Sequence, residues 1–393
     1  MNGLQYDISS IGDVGANIVK MLPEIRERAA EIEGARRLPA DLAAKLAEAG
    51  AFNLSKPASL GGLELAPLDF MKIIATVAEA DASVGWCVMI AVTSTLGAAY
   101  MPEPVASEIF GADDVITGGV FAPMGKAEDK GDHYLLSGQW QWGSGSANCS
   151  WLGGGAMIFK DDTLQKFDNG APNHRMLFFP AKEATFVDSW HVAGLKGTGS
   201  GDFSVESLKI PKDRSVSFVA DQPRDAGALY KFPLFGLLAL GVSSVALGNA
   251  RAALEEIRTI AIHKKTPGGG RTMAQRATVQ VELARATAQL EGAFSYLENA
   301  ISACWLEAQG SDEISAKGRA NLRLACAHAT ETSAELCKMA YTLGGGAAVY
   351  SDNVLQRRFR DAHVATQHIA TSPAVFELVG RVLLDQPVDM AML

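Results

Sequence analysis

Apolar residues follow three regimes along the chain. To about residue 113 they recur at helical spacing. In "LPADLAAKLAEAGAF", Leu42 and Leu46 stand four apart, Pro39 marks a helix start and Gly50 a stop. "PLDFMKIIATVAEADASVGWCVMIAVTSTLGAAYM" carries two more helical patterns that break around Asp81 to Ser83. From about 114 to 225, glycines, tryptophans and short alternations replace the alanine-rich runs, and "HYLLSGQWQW" and "FSVESLKIP" read as strands. From about 226 long helical patterns return: "MAQRATVQVELARATAQLEGAFSYLENAISACWLEAQG", then "SAKGRANLRLACAHATETSAELCKMAYTLGGG" with Gly344 to Gly346 as its stop. A last helix is predicted at "TSPAVFELVGRVLL", with Ser372 as N-cap, Pro373 as first residue and Val375, Leu378, Val379, Val382 and Leu383 on one face.

These regimes predict an α+β chain: a helical domain over 1–113, a β-barrel-like domain over 114–225 and a four-helix bundle over 226–393. Pockets in such chains favour the junctions between domains. "FPLFGLLALGVSSVALG", residues 232–248, is nearly uncharged. It is shorter than the ~20 residues a bilayer span needs and is interrupted by Pro, Gly and Ser, so it reads as a helix buried on every side.

Composition sharpens this only a little. The chain has 393 residues, 48% hydrophobic and 20% charged, which is a globular profile. A net charge of -9 argues against a nucleic-acid partner, which needs a basic face. The five cysteines are odd in number and lack CxxC spacing, and no zinc-type Cys/His cluster occurs, so reduced thiols in a cytoplasmic protein are expected and no metal site. The opening "MNGLQYDISS" has neither the basic nor the apolar region of a signal peptide.

Three motifs carry candidate chemistry. The first is "GQWQWGSGSANCSW" over 138–151; taken alone, its Trp142 and Ser144 read as ordinary packing and a turn. The second is "WHVAGLKGTGSGDFSVESLKIP" over 190–211, whose own reading is a glycine-rich hairpin. The third is "LGGGAAVYSDNVLQRRFRDAHVATQHIATSP", in which His368 by itself reads as a hydrogen-bonded core histidine. Together with the helix–sheet–helix order, these motifs resemble the acyl-CoA dehydrogenase superfamily over essentially the whole chain. The "GLKGTGS" loop is similar to that of its two-component, group D flavin-dependent aromatic monooxygenases.

The resemblance implies that Trp142 stands near the flavin ring and Ser144 near its N5, with Thr198 and Ser200 as further donors. It implies Gly345 as a further cofactor-binding residue, and Arg271, in "TPGGGRTMAQR", on the phosphate side, where an arginine fork suits a phosphate. In dehydrogenases of the common type a catalytic glutamate follows the Arg-Asp pair; counted from Arg360 and Asp361 that place holds Ile369, which cannot act as a base. His368 becomes the candidate for proton transfer, since histidine titrates near neutrality. His363 is read as structural and His191 as a weaker site candidate.

The implied reaction uses reduced flavin (FADH2 or FMNH2) from a separate NAD(P)H-flavin reductase, and O2, through a C4a-hydroperoxyflavin. Its substrate would be a small aromatic, held among Trp86, Ser94, Phe121 and Ile369, with Trp140 and Trp142 adding to a dry aromatic setting. Phenol-hydroxylating relatives often carry a histidine after an "S-x-x-W" pattern; here "SVGWCVMIAVTSTL" offers Thr93 and Ser94, which shifts weight toward an indole or indole carboxylate. A cytoplasmic homotetramer is the family expectation. The alternative is an acyl-CoA dehydrogenase acting on a CoA thioester.

Overall fold

The computed structural model describes residues 6–265, 270–311 and 313–393. The first five residues, part of the stretch expected to lack a signal peptide's pattern, and residues 266–269 of the glycine-rich loop before Arg271 lie outside the described residues.

Helices α1 (Gly12–Glu27), α2 (Ala29–Ala35), α3 (Ala40–Glu48), α4 (Pro67–Ala80), α5 (Ala82–Thr95) and α6 (Glu103–Phe110) come first. The sheet follows with β1 (Thr117–Asp129), β2 (His133–Trp140), β3 (Trp151–Lys160), β4 (Thr163–Leu164), β5 (His174–Pro180), β6 (Thr185–Val187), β7 (Asp202–Pro211) and β8 (Ser215–Val216). The chain closes with α7 (Leu234–His263), α8 (Ala277–Gly310), α9 (Ala316–Gly344), α10 (Val354–Ala365) and α11 (Ala374–Leu383). Helical N- and C-terminal parts thus flank one central sheet.

The break between α4 and α5 has a local cause. Asp81 is extended (φ -151°), and its carboxylate accepts from the Ser83 and Val84 amides at 2.9 and 3.1 Å, capping α5. At the other end of the chain, α11 starts one residue later than its sequence pattern predicts. Ser372 does not cap it: its hydroxyl donates backward to the Ile369 carbonyl, and Pro373 stands before the first helical residue, Ala374.

The sheet order is β6-β7-β2-β1-β3-β5-β8, with β4 beside β3. β1 and β3 pair in parallel while β2 lies antiparallel to β1. Parallel neighbours cannot be joined by a tight hairpin. β2 ends beside the start of β1 and β3 begins there on the other side of β1, so residues 141–150, which hold Trp142 and Ser144, form a return loop that crosses past that end of β1.

The helical run Ala82–Tyr100, which is α5 with the turn that continues it, and α7 are long and apolar enough for a bilayer, yet 94% and 89% of their apolar windows are buried inside the fold. α7 packs against α4, α5, α8, α9 and α10, which is why it is apolar nearly all round.

One buried side chain ties these layers together. Arg358 of α10 donates to the carbonyls of Ala78 (3.0 Å), Glu79 (2.6 Å) and Ala80 (3.2 Å), and to Asn249 Oδ1 of α7 at 3.2 Å. The three carbonyls close the last turn of α4 and have no partner within that helix. Three residues on, Asp361 accepts from the Leu195 amide at 2.6 Å. Gly194 permits this approach: a Cβ there would meet the Arg360 backbone at 2.4 Å. Removing Arg358 leaves three buried carbonyls unpaired. Arg358→Met is expected to lower the unfolding free energy by about 3 kcal/mol or more, read as an earlier midpoint in urea denaturation.

Candidate active site

α5, the return loop, the loop after β6 and the turn after α10 converge on a buried chain of hydroxyl groups. Thr198 Oγ1 donates to the Leu195 carbonyl at 2.8 Å and lies 2.6 Å from Ser200 Oγ, which lies 2.6 Å from Ser144 Oγ. Trp86 Nε1 donates to Ser144 Oγ at 3.1 Å. All four side chains are buried.

The proton direction follows from the two ends. A carbonyl only accepts and an indole N–H only donates. Each hydroxyl proton therefore points from Trp86 toward Leu195, and Ser144 spends its own proton on Ser200. Ser144 Oγ keeps one lone pair, so it can accept one further hydrogen bond from a ligand.

The loop that holds Thr198 and Ser200 is set by close contact. A Cβ at Gly197 would meet Ile32 at 2.3 Å and Ser83 at 2.9 Å. Leu195 (φ 50°) and Gly199 (φ 55°) both take left-handed backbone on either side of the turn.

His368 stands in the turn after α10, partly buried, with its ring edge-on to Trp86 (centroids 5.6 Å, 71°). Its Nδ1 accepts from the Ala370 amide at 3.2 Å, which leaves the proton on Nε2. Burial, and then the positive charge of Arg323, push its pKa down to about 4, so the ring is neutral at pH 7. Ile369 beside it is 65% exposed.

Trp142 is also outside the core: 60% exposed and in left-handed backbone, φ 64°. β2 ends at Trp140, whose indole belongs to the sheet interior, stacked on Phe203 and donating to the Gly155 carbonyl at 2.8 Å. Phe121 sits where the β1–β3 register slips between Val120 and Gly125. Its ring meets His174, Phe218 and Phe235 at 4.6, 6.0 and 5.8 Å. Ser94 follows Trp86 and Ile90 at four-residue steps on one face of α5, and its hydroxyl is buried with no partner among the described residues.

Arg271 and Gly345 belong to another place. Arg271 is exposed in the loop after α7, and Lys264 donates to the Gly344 carbonyl at 3.0 Å, drawing that loop toward the end of α9. Gly345 takes φ 63° there. His363 Nδ1 donates within α10 to the Phe359 carbonyl at 2.9 Å, and His191 is exposed beside Arg36. Among the described residues no cluster of three His, Cys, Asp or Glu side chains is placed to hold a metal. Sequence reasoning missed two features: the hydrogen bond from Trp86 to Ser144, and Arg323, a charge between Leu322 and Leu324 that stands out in an apolar helix pattern.

Comparison with known proteins defines the class. The acyl-CoA dehydrogenase N-terminal domain matches residues 21–103 and the acyl-CoA dehydrogenase C-terminal domain matches residues 240–373. An indole-3-acetate monooxygenase of Acinetobacter baumannii is 31% identical over 388 residues, 97% of each chain. The flavin-dependent monooxygenase oxygenase subunit HsaA of Mycobacterium tuberculosis is 28% identical over 373 residues, 91% of each. The crystal structure of the 3-HSA hydroxylase from Rhodococcus sp. RHA1 superposes with a TM-score of 0.88 at 26% identity, covering 97% of this chain and 99% of that one. The chain belongs to the acyl-CoA dehydrogenase superfamily, in its branch of flavin-dependent monooxygenases, and is an oxidoreductase.

The depressed His368 pKa has a signed consequence. The ring is neutral in both folded and unfolded chains above pH 6.5, and only the unfolded chain gains a proton between 6.5 and about 4. Its contribution is therefore present above 6.5 and lost as pH falls. His368→Gln is expected to narrow the stability loss between pH 7 and pH 4 by about 2 kcal/mol, since partial exposure discounts the full shift. Urea midpoints across a pH series check this.

Proposed function

We propose that the chain is the oxygenase component of a two-component flavin-dependent monooxygenase. It takes reduced flavin, FADH2 or FMNH2, from a separate NAD(P)H-flavin reductase and uses O2 to hydroxylate a small aromatic substrate of indole, indole-carboxylate or phenol type. The directed hydroxyl chain that ends at Ser144, joined through Trp86 to a neutral histidine, carries this reading.

The residues fit a flavin. Trp142 offers a flat indole, 60% exposed, on a backbone that a bulky residue adopts only under constraint. Beside it, the free lone pair of Ser144 suits the N5–H that a flavin carries when reduced and lacks when oxidised. When bound, the flavin supplies the two electrons that activate O2 for transfer of one oxygen atom.

The chain's own groups do the rest. Trp86 and Ser200 hold the Ser144 hydroxyl in one orientation, so accepting a hydrogen bond requires no rearrangement. His368 presents Nε2–H as a donor while staying neutral, which avoids a buried cation beside electron-rich chemistry. Trp86 and Phe121 furnish apolar walls that exclude water. Arg271 and Gly345 would hold flavin phosphate at the bundle's end, and Ser94 and Ile369 would border the substrate. We place the flavin and substrate side in the β domain, 114–225, and oligomer contacts in the bundle, 226–393. The exposed Tyr350, Leu383 and Leu384 support self-association, which this reading, with the family resemblance, takes to be a cytoplasmic homotetramer.

Purified protein supplied with reduced flavin, O2 and a panel of phenols, indoles and indole acids is expected to hydroxylate at least one member. Ser144→Ala and His368→Ala should each lower the ratio of product to hydrogen peroxide by roughly tenfold to a hundredfold. Peroxide alone with every substrate, or bleaching of bound oxidised flavin by an acyl-CoA thioester, would sink the proposal. Trp142→Asn, which tolerates left-handed backbone, should leave the unfolding free energy within about 0.5 kcal/mol while weakening flavin binding in a fluorescence titration.

A further inference from the structure

Three arginines are buried in the fold: Arg251, Arg323 and Arg358. Two have compensation. Arg251 pairs with Glu79, and Arg358 is wrapped by three carbonyls and Asn249 with Asp81 and Asp361 nearby. Arg323, 2% exposed, has no acidic partner among the described residues. Its Nη1 donates to the Phe235 carbonyl at 2.6 Å, and its Nε is buried with no hydrogen-bond partner.

A guanidinium enclosed without an anion is costly, and such a group normally finds one. The surroundings say which anion fits. Arg323 lies on the face of α9 that also presents Ala320 and Ala327, which pack on Val375 and Val379 of α11. Its guanidinium carbon is 5.7 Å from the Phe235 ring, and that ring meets Phe121 edge-on at 5.8 Å. Its charge is felt at His368. The cation therefore sits behind an aromatic wall, within electrostatic reach of the proposed proton donor. A rigid aromatic bearing one short acidic arm matches this pattern, with its ring against Phe121 and Phe235 and its carboxylate on the guanidinium fork.

We propose that Arg323 is the carboxylate anchor of the substrate site and that the preferred substrate is an aromatic acid, an indole acid before a neutral indole. This rests on the oxygenase reading for the reaction, but the anchor itself is a binding claim. The test compares indole-3-acetate with 3-methylindole, which keeps the ring and loses the carboxylate. Equilibrium binding to the flavin-loaded protein is measured by calorimetry for wild type, Arg323→Gln and Arg323→Lys.

Wild type is expected to favour the acid, and Arg323→Gln to cut that preference by roughly tenfold to a hundredfold while binding of 3-methylindole stays within about twofold. Arg323→Lys, which keeps the charge and loses the fork, should retain part of the preference. The acid-to-neutral ratio within one variant is insensitive to a general loss of folded protein. An unchanged acid-to-neutral ratio in Arg323→Gln, or in Arg323→Lys should the Gln variant not fold, overturns the anchor. Failure of the oxygenase reading is seen separately: acid binding that depends on Arg323, with no hydroxylated product from reduced flavin and O2, supports the anchor and rejects that reaction.

Discussion

The architecture hangs on the guanidinium of Arg358. α4 ends inside the protein, where its last carbonyls have neither water nor a following helical turn to bond. A single planar cation reaching across from α10 satisfies three of them and holds α7 through Asn249. The same helix, one turn on, grips the Leu195 amide through Asp361. A short helix late in the chain thereby fixes the end of an early helix and the start of the loop that carries Thr198 and Ser200. Burial, with the Asp81 carboxylate nearby, pushes the Asp361 pKa up to about 7. The tether is thus a hydrogen bond to a carboxyl group in a crowded, largely charge-balanced setting rather than an exposed ion pair.

The candidate site is polar yet almost without charge. Its groups are two serines, a threonine, an indole N–H and a neutral imidazole. Such groups are rigid when every proton has an assigned acceptor, and here the assignments run in one direction and end on a backbone carbonyl. Rigidity of this kind is what a reaction vulnerable to stray water requires. Arg323, which has no acidic partner among the described residues, stands beside the Phe235 ring at the border of this neutral region.

Much of the fold was legible in the chain. Helical spacing with Pro39, Asp81 and the Gly344 to Gly346 run as punctuation marks the helical segments, because capping chemistry is local. The return loop was not legible, since parallel pairing of β1 with β3 is a long-range fact that no window of residues contains. That is why Trp142 reads as strand and stands in left-handed backbone instead. At the site, motif resemblance gathered Ser144, Thr198 and Ser200 into one group. Neither the donor role of Trp86 nor the isolation of Arg323 could be read the same way: both depend on which face of a helix turns inward, and on which partners other helices fail to supply.

The burial of α5 has a consequence for how the protein is made. Its apolar surface is covered in part by α7 and α10, whose residues leave the ribosome long after it does. Until they arrive, a nascent chain carries a helix hydrophobic enough to pass for a membrane span, and contacts so distant in sequence form slowly. The chain order itself therefore delays the full burial of that segment until α7 and α10 have been made.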